Sequence, residues 1–173
     1  MKSVFIQISD ELFLKIGSLI TERYGIRMPV EKKIMFQARM QRRLRELELD
    51  SFDEYAKLLF PSTDYSTELS FLADLISTNK TEFFREKDHF KFITDRVLSE
   101  YLDKKKSQLM PEMKFWSAGC SNGQEAYSIA VTVEEFMRLK HLKIEYSILA
   151  TDISGRMLRM AKEAIYPISS VDV

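Results

Sequence analysis

Cysteine is almost missing from this chain. Cys120 is the only one in 173 residues, so no internal disulfide framework is available and the fold must rest on apolar burial. With only two histidines, scattered along the chain, there is no metal-ligand spacing either. Glycine stops at five and proline at four, and no repeat or low-complexity tract occurs, which sets fibrous and disordered classes aside. No apolar run approaches the ~20 residues needed to cross a bilayer, and nothing reads as a signal peptide, so the cytoplasm is the expected location. What remains is 45 % hydrophobic and 30 % charged, with 26 basic residues against 26 acidic. That is ordinary globular composition, long enough for one medium domain or two small ones.

The charge is unevenly placed. Glu31 to Arg45 holds six basic residues and one acid, a local net of +5, and makes a candidate contact surface. No aromatic residues interleave those arginines, so base stacking is unsupported and nucleic acid is not the expected partner.

The first half reads as four helices. Ser9 caps one that runs to Tyr24, with Gly25 just past its end. From Glu31 to Leu47 the stripe Phe36, Met40, Leu44, Leu47 turns inward while Lys32, Arg39, Arg42 and Arg43 fall largely away from it. Ser51 to Glu54 is a capping box opening a short helix to Phe60, which Pro61 stops. A fourth helix, near Ser66 to Ser77, directs Leu69, Leu72, Leu75 and Ile76 inward. Polar Ser77 to Lys80 is the linker. A helical pattern then resumes over Thr81 to Lys105.

Met113 to Ala130 changes character. Phe115 and Trp116 suit a buried strand, Ser117 to Gly123 is small and turn-permissive, and Ala126, Ile129, Ala130 and Val133 take helical spacing. Glycines at such a corner let the backbone approach a ligand, although Gly119-x-x-x-Gly123 is not the dinucleotide fingerprint. Twenty-one residues after Gly123, Ile144 to Thr151 reads as a second strand ending on Asp152. A right-handed parallel crossover brings that carboxylate and the glycine loop to one sheet edge, where it can accept a ribose diol. The alternative is that Asp152, or Ser154, merely caps the helix starting near Gly155, in which Met157, Leu158, Ala161 and Ile165 face the sheet until Pro167. Residues beyond Pro167 read as unstructured. Cys120 has no histidine nearby in sequence, and a packing role in a tight turn is expected of it.

Three separated strings carry a family resemblance: T-N-K-T-E-F-F-R-E at Thr78 to Glu86, W-S-A-G-C-S-N-G-Q-E-A-Y-S-I-A at Trp116 to Ala130, and A-T-D-I-S at Ala150 to Ser154. Together they resemble the chemotaxis protein methyltransferase (CheR) family, over nearly the whole chain. The resemblance implies an α/β fold: an all-helical receptor-recognition domain over residues 1–76, then the first part of a Rossmann-like class I S-adenosylmethionine-dependent methyltransferase domain over 77–173. It also implies methylation of chemoreceptor glutamates, with S-adenosylhomocysteine as product. The same resemblance assigns cofactor contacts to Asn79, Thr81, Arg85 and Glu125; Asp152 joins them by the geometry above, the backbone at Ala118 and Gly119 would lie against the methionine part, and Met157 could pack on adenine. Arg85, whose planar fork suits a carboxylate, is the candidate catalytic residue, and Glu125 suits an ammonium.

Lys33, Arg39, Arg42 and Arg43 would meet the methylation helices of a chemoreceptor. Each position has a plainer alternative: helix caps at Asn79 and Thr81, a solvated face at Arg85, a dipole-favoured first turn at Glu125, and core packing at Met157. The loop departs from the family pattern at Asn122, Gln124 and Ala126, and Gln124 lacks the charge usual beside Glu125. Leu47-Glu48-Leu49 also stands where glycine is usual between the leucines.

Two parallel strands are too few to bury both faces of a sheet, so the expectation is an N-terminal portion of a longer enzyme. Strand exchange between two copies is one way to cover the open sheet. The functional alternative is a receptor-binding module that performs no catalysis and keeps at most a remnant cofactor pocket.

Overall fold

A computed structural model describes residues 5–60, 66–105 and 112–171. The chain divides into two compact units, Met1–Thr78 and Asn79–Val173.

In the first unit, helix α1 (Asp10–Tyr24) starts where the Ser9 hydroxyl accepts the Leu12 N–H at 3.2 Å and ends at left-handed Gly25. A 3-10 turn at Val30–Lys32 precedes α2 (Lys33–Glu46), so the α-helix proper begins later than the apolar stripe suggests. Helix α3 (Phe52–Leu59) is capped by the Ser51 hydroxyl on the Glu54 N–H. The Glu54 carboxylate returns to the Asp50 N–H, one residue before the partner a reciprocal capping box would use. Pro61 lies outside the described residues. Helix α4 is Ser66–Ile76. Apolar faces of all four helices meet in one core, where Phe13, Ile16, Ile20, Phe36, Met40, Leu44, Tyr55 and Leu72 are essentially closed to solvent.

A polar cluster crosses this core's edge. Arg43 Nε donates to Glu68 at 3.0 Å, its Nη2 also reaches Glu68, and the Tyr55 hydroxyl donates to the same carboxylate at 2.8 Å. The guanidinium lies over the Phe71 ring, 4.3 Å from its centroid. Arg43 therefore does not fall away from the core as the helical spacing implied; its stem packs inward and its charge joins α2 to α4. Burial, and then the neighbouring Glu68 charge, push the Tyr55 phenol far above its ordinary range.

The second unit holds strands β1 (Met113–Ala118) and β2 (Tyr146–Thr151), paired in parallel from Met113 opposite Tyr146 to Ala118 opposite Thr151. Helix α7 (Gln124–Lys140) connects them, and α8 (Gly155–Glu163) follows β2. Ile129, Val133 and Phe136 of α7 form a core with Phe90, Leu98 and Ile144, onto which Phe115 and Ile148 of the sheet pack. Trp116 and Leu149, on the alternate positions, remain mostly exposed, so one sheet face is covered and the other is open.

Three local expectations fail here. The helix expected from Thr81 begins only at α5 (Lys87–Phe92), passes through a π-type stretch at Ile93–Leu98 and finishes as α6 (Ser99–Lys105). Phe84 and Glu86 take left-handed backbone at φ 53° and 58°. The Phe84 N–H donates to the Ser128 hydroxyl of α7 at 2.9 Å and its ring packs on Phe90, so tertiary contacts override the local pattern. Ile165 lies beyond the end of α8 and is 83 % exposed instead of facing the sheet. Ile168–Ser170 forms a 3-10 turn where no regular structure was expected.

Candidate functional site

The parallel register sets Ala118 beside Thr151, so the chain leaves both strands at one edge, into Gly119 and Asp152. Between them the corner is stitched by the Gly119 and Cys120 N–H groups, which both donate to the Thr151 carbonyl at 2.8 and 2.9 Å. Left-handed backbone recurs at every second residue, with φ of 78° at Gly119, 50° at Ser121 and 92° at Gly123. The two glycines serve different ends. A Cβ on Gly123 would stand 2.8 Å from that of Ala161, so close packing against α8 demands glycine; at Gly119 a Cβ would meet nothing within 4 Å, leaving an open approach to the backbone.

Ser121 holds its strained conformation because it is bonded on three sides. Its N–H donates to Asp152 Oδ2 at 2.8 Å, its hydroxyl donates to the Asn79 carbonyl at 3.1 Å, and that hydroxyl lies 3.5 Å from the Met157 sulfur. One residue, through its backbone N–H and its hydroxyl, thus joins the three segments that the sequence singles out. Asp152 Oδ1 accepts the Ser154 N–H at 2.8 Å, while Ser154, not Asp152, caps α8 through its hydroxyl on the Met157 N–H. Each Asp152 oxygen takes one backbone donor and keeps capacity for another, so the carboxylate is fixed in place and still able to accept a diol.

Glu125 sits in the first turn of α7, where Oε1 accepts the Ser117 hydroxyl at 2.5 Å. Ser117 is buried at the end of β1, so its hydroxyl fixes one carboxylate oxygen of Glu125 against the strand. Arg85 is exposed, and its Nη1 donates to the Lys80 carbonyl at 3.0 Å. Thr81 and Asn79 are half-buried, Ala118 and Gly119 exposed, and Met157 buried beneath the loop. Burial first, then the charges of Asp152 and Glu125, push the Cys120 thiol upward, away from thiolate chemistry. Ser117 and Ser121 carried no assignment from sequence; the left-handed backbone at Ser121 is invisible in the letters, and serine in a turn is unremarkable.

In the first unit the four basic candidates have distinct environments. Lys33 pairs with Asp10 at 2.5 Å, Arg39 Nη1 donates to the Leu75 carbonyl near the end of α4 at 2.6 Å, and Arg43 is held by Glu68. Arg42 pairs within its own helix, with Glu46 at 2.8 Å, and its side chain stays 83 % exposed. Arg45, part of the basic stretch but not one of the four receptor candidates, is exposed on the same helix.

Comparison with known proteins agrees with this division of the chain into segments. Residues 79–173 match the family described as CheR methyltransferase, SAM binding domain, and residues 11–77 match its all-alpha domain. The chemotaxis protein methyltransferase of Borreliella burgdorferi is 36 % identical over 94 % of this chain and 57 % of its own length. Those of Salmonella typhimurium and Escherichia coli are 34 % and 35 % identical, over 95 % and 92 % of this chain and 53 % and 51 % of their own lengths. The chain thus spans about half the length of these relatives. A helical unit followed by a strand, glycine corner, helix and acid-tipped strand, matched in both parts, places this chain in the CheR methyltransferase family, whose second domain binds S-adenosylmethionine.

Proposed function

We propose that this chain carries the receptor-docking domain, residues 1–76, and the cofactor-holding start of the catalytic domain, residues 77–173, of a cytoplasmic enzyme that methylates glutamate side chains of chemoreceptors. The observation that carries the reading is Ser121, bonded at once to Asp152 and to the Asn79 carbonyl, because it gathers all three motif segments at one strand edge.

The residues present fit S-adenosylmethionine. Asp152 suits the ribose diol and Glu125 the amino-acid ammonium. The open backbone at Ala118 and Gly119 lies where a methionine chain can approach, with Asn79 and Thr81 on the adjoining wall and Met157 under the loop. When bound, the cofactor supplies a methyl group activated by its sulfonium. The glutamate that accepts it is already ionised near neutral pH, its ordinary pKa being about 4.3, so no side chain is needed as a general base. The protein's contribution is alignment and partial removal of water, worth roughly 7–11 kcal/mol when geometry is good. Arg85 holds a carboxylate in that alignment.

Receptor contact falls to α2, through exposed Arg42 and Arg45 together with the outer faces of Lys33, Arg39 and Arg43, which suit an acidic helix. Calorimetry with S-adenosylhomocysteine tests the reading: saturable binding with a micromolar Kd supports an assembled pocket. Absence of binding heat contradicts it and leaves a docking module.

A further inference from the structure

We propose that Tyr166, outside the three motif strings, is a positioning residue that locks the cofactor loop into its binding shape; the inference rests on the S-adenosylmethionine reading of that loop. Left-handed Ala164 ends α8 and turns the chain back toward the corner. There the Tyr166 hydroxyl donates to the Asn122 carbonyl at 2.6 Å. Its ring meets Phe83 edge-on, with centroids 5.0 Å apart, and Tyr127 of α7 at 6.0 Å. One side chain therefore touches the glycine loop, the segment carrying Asn79 to Arg85, and the first turns of α7.

The hydroxyl oxygen also lies 3.1 Å from where a Cβ on Gly123 would stand, so the phenol is packed against the loop's last left-handed residue. Tyr127 closes the circuit by donating to the Ala161 carbonyl of α8 at 2.9 Å. Burial, foremost, pushes the Tyr166 phenol upward, which keeps it a donor near neutral pH.

The loop is consequently anchored on both sides. Asp152 and Asn79 hold Ser121 from within, and Tyr166 holds the next peptide from without. A loop fixed before the ligand arrives loses less conformational freedom on binding, which raises affinity without a new ligand contact.

Tyr166→Phe keeps the ring contacts and removes only the hydroxyl. In the free chain, hydrogen exchange should accelerate at the amides of Cys120 to Gln124 and leave those of β2 and the α7 interior unchanged. The Kd for S-adenosylhomocysteine should rise about 3- to 10-fold, the range expected for one lost hydrogen bond. Tyr166→Ala, which also removes the ring, should weaken binding further. Unchanged loop exchange in Tyr166→Phe, an unchanged Kd, or acceleration spread evenly through the second unit would each overturn the inference. If the unsubstituted chain gives no binding heat while loop exchange still responds to Tyr166→Phe, the cofactor reading is what fails, and a role for Tyr166 in binding falls with it.

Discussion

Asp152 earns its candidate role from the two backbone donors that immobilise it, since a carboxylate held by the Ser121 and Ser154 N–H groups keeps acceptor capacity on both oxygens in a fixed orientation. Asp152→Ala should weaken S-adenosylhomocysteine binding by about 10- to 100-fold, as expected for lost hydrogen bonds to a charged acceptor; calorimetry reads it, and an unchanged Kd removes Asp152 from the site. Tyr146 supplies a pH test. Burial, then its bond to Glu134, pushes its phenol up to about 12. The neutral form is the one the fold favours. Its stabilisation is therefore complete below the unfolded value of about 10 and is lost as pH rises through 12. Denaturant titrations should show the stability gap between the unsubstituted chain and Tyr146→Phe shrinking between about pH 10 and 12; a constant gap contradicts the assignment. At this scale the sequence is informative about type and silent about aim. Asp152 and Glu125 can be picked out by position, but the partners that orient them, Ser121 and Ser117, are small residues whose importance lies in backbone geometry and burial.

Among the elements, the strand–loop–helix corner was legible because its signals are local: an apolar run, small residues, then a 3.6-residue period. Gly123→Ala tests how tightly that corner is built. Its φ of 92° and the 2.8 Å approach to Ala161 should together cost at least about 2 kcal/mol, read as a lower denaturation midpoint; a neutral result would mean that α8 does not pack on the loop as described. The stretch from Thr81 was not legible, because Phe84 turns left-handed to reach Ser128, 44 residues ahead, and no local pattern encodes a distant hydroxyl. The same limit hid the clasp between α2 and α4. Helical spacing places Arg43 on the outer face, yet Glu68 and Phe71 draw it in. Glu68→Ala should destabilise the first unit by about 2–3 kcal/mol, somewhat below the value for a fully buried pair because both groups keep some exposure. Loss of under about 0.5 kcal/mol would reduce the pair to an ordinary surface bridge.

For the molecule as a whole, the two units have separate cores, so the tasks proposed for them should fail separately. Charge reversal at Arg42 and Arg45 should weaken capture of an acidic receptor helix several-fold, with a salt dependence to match, while leaving S-adenosylhomocysteine affinity intact; a parallel loss of both would contradict the division of labour. Strand exchange between copies would extend the β1–β2 sheet at its edges, and a monomeric mass by light scattering at high concentration counts against that part of the account. The central claim is that the glycine corner, Asp152 and the Asn79 segment form one adenosyl pocket. Titrating S-adenosylhomocysteine into the isotope-labelled chain and following backbone amide shifts tests it most directly. The account predicts saturable shifts at Asn79, Gly119, Ser121, Glu125 and Asp152 with a single Kd. Shifts confined to the first unit, or to the opposite end of the sheet around Glu112 and His141, would contradict it.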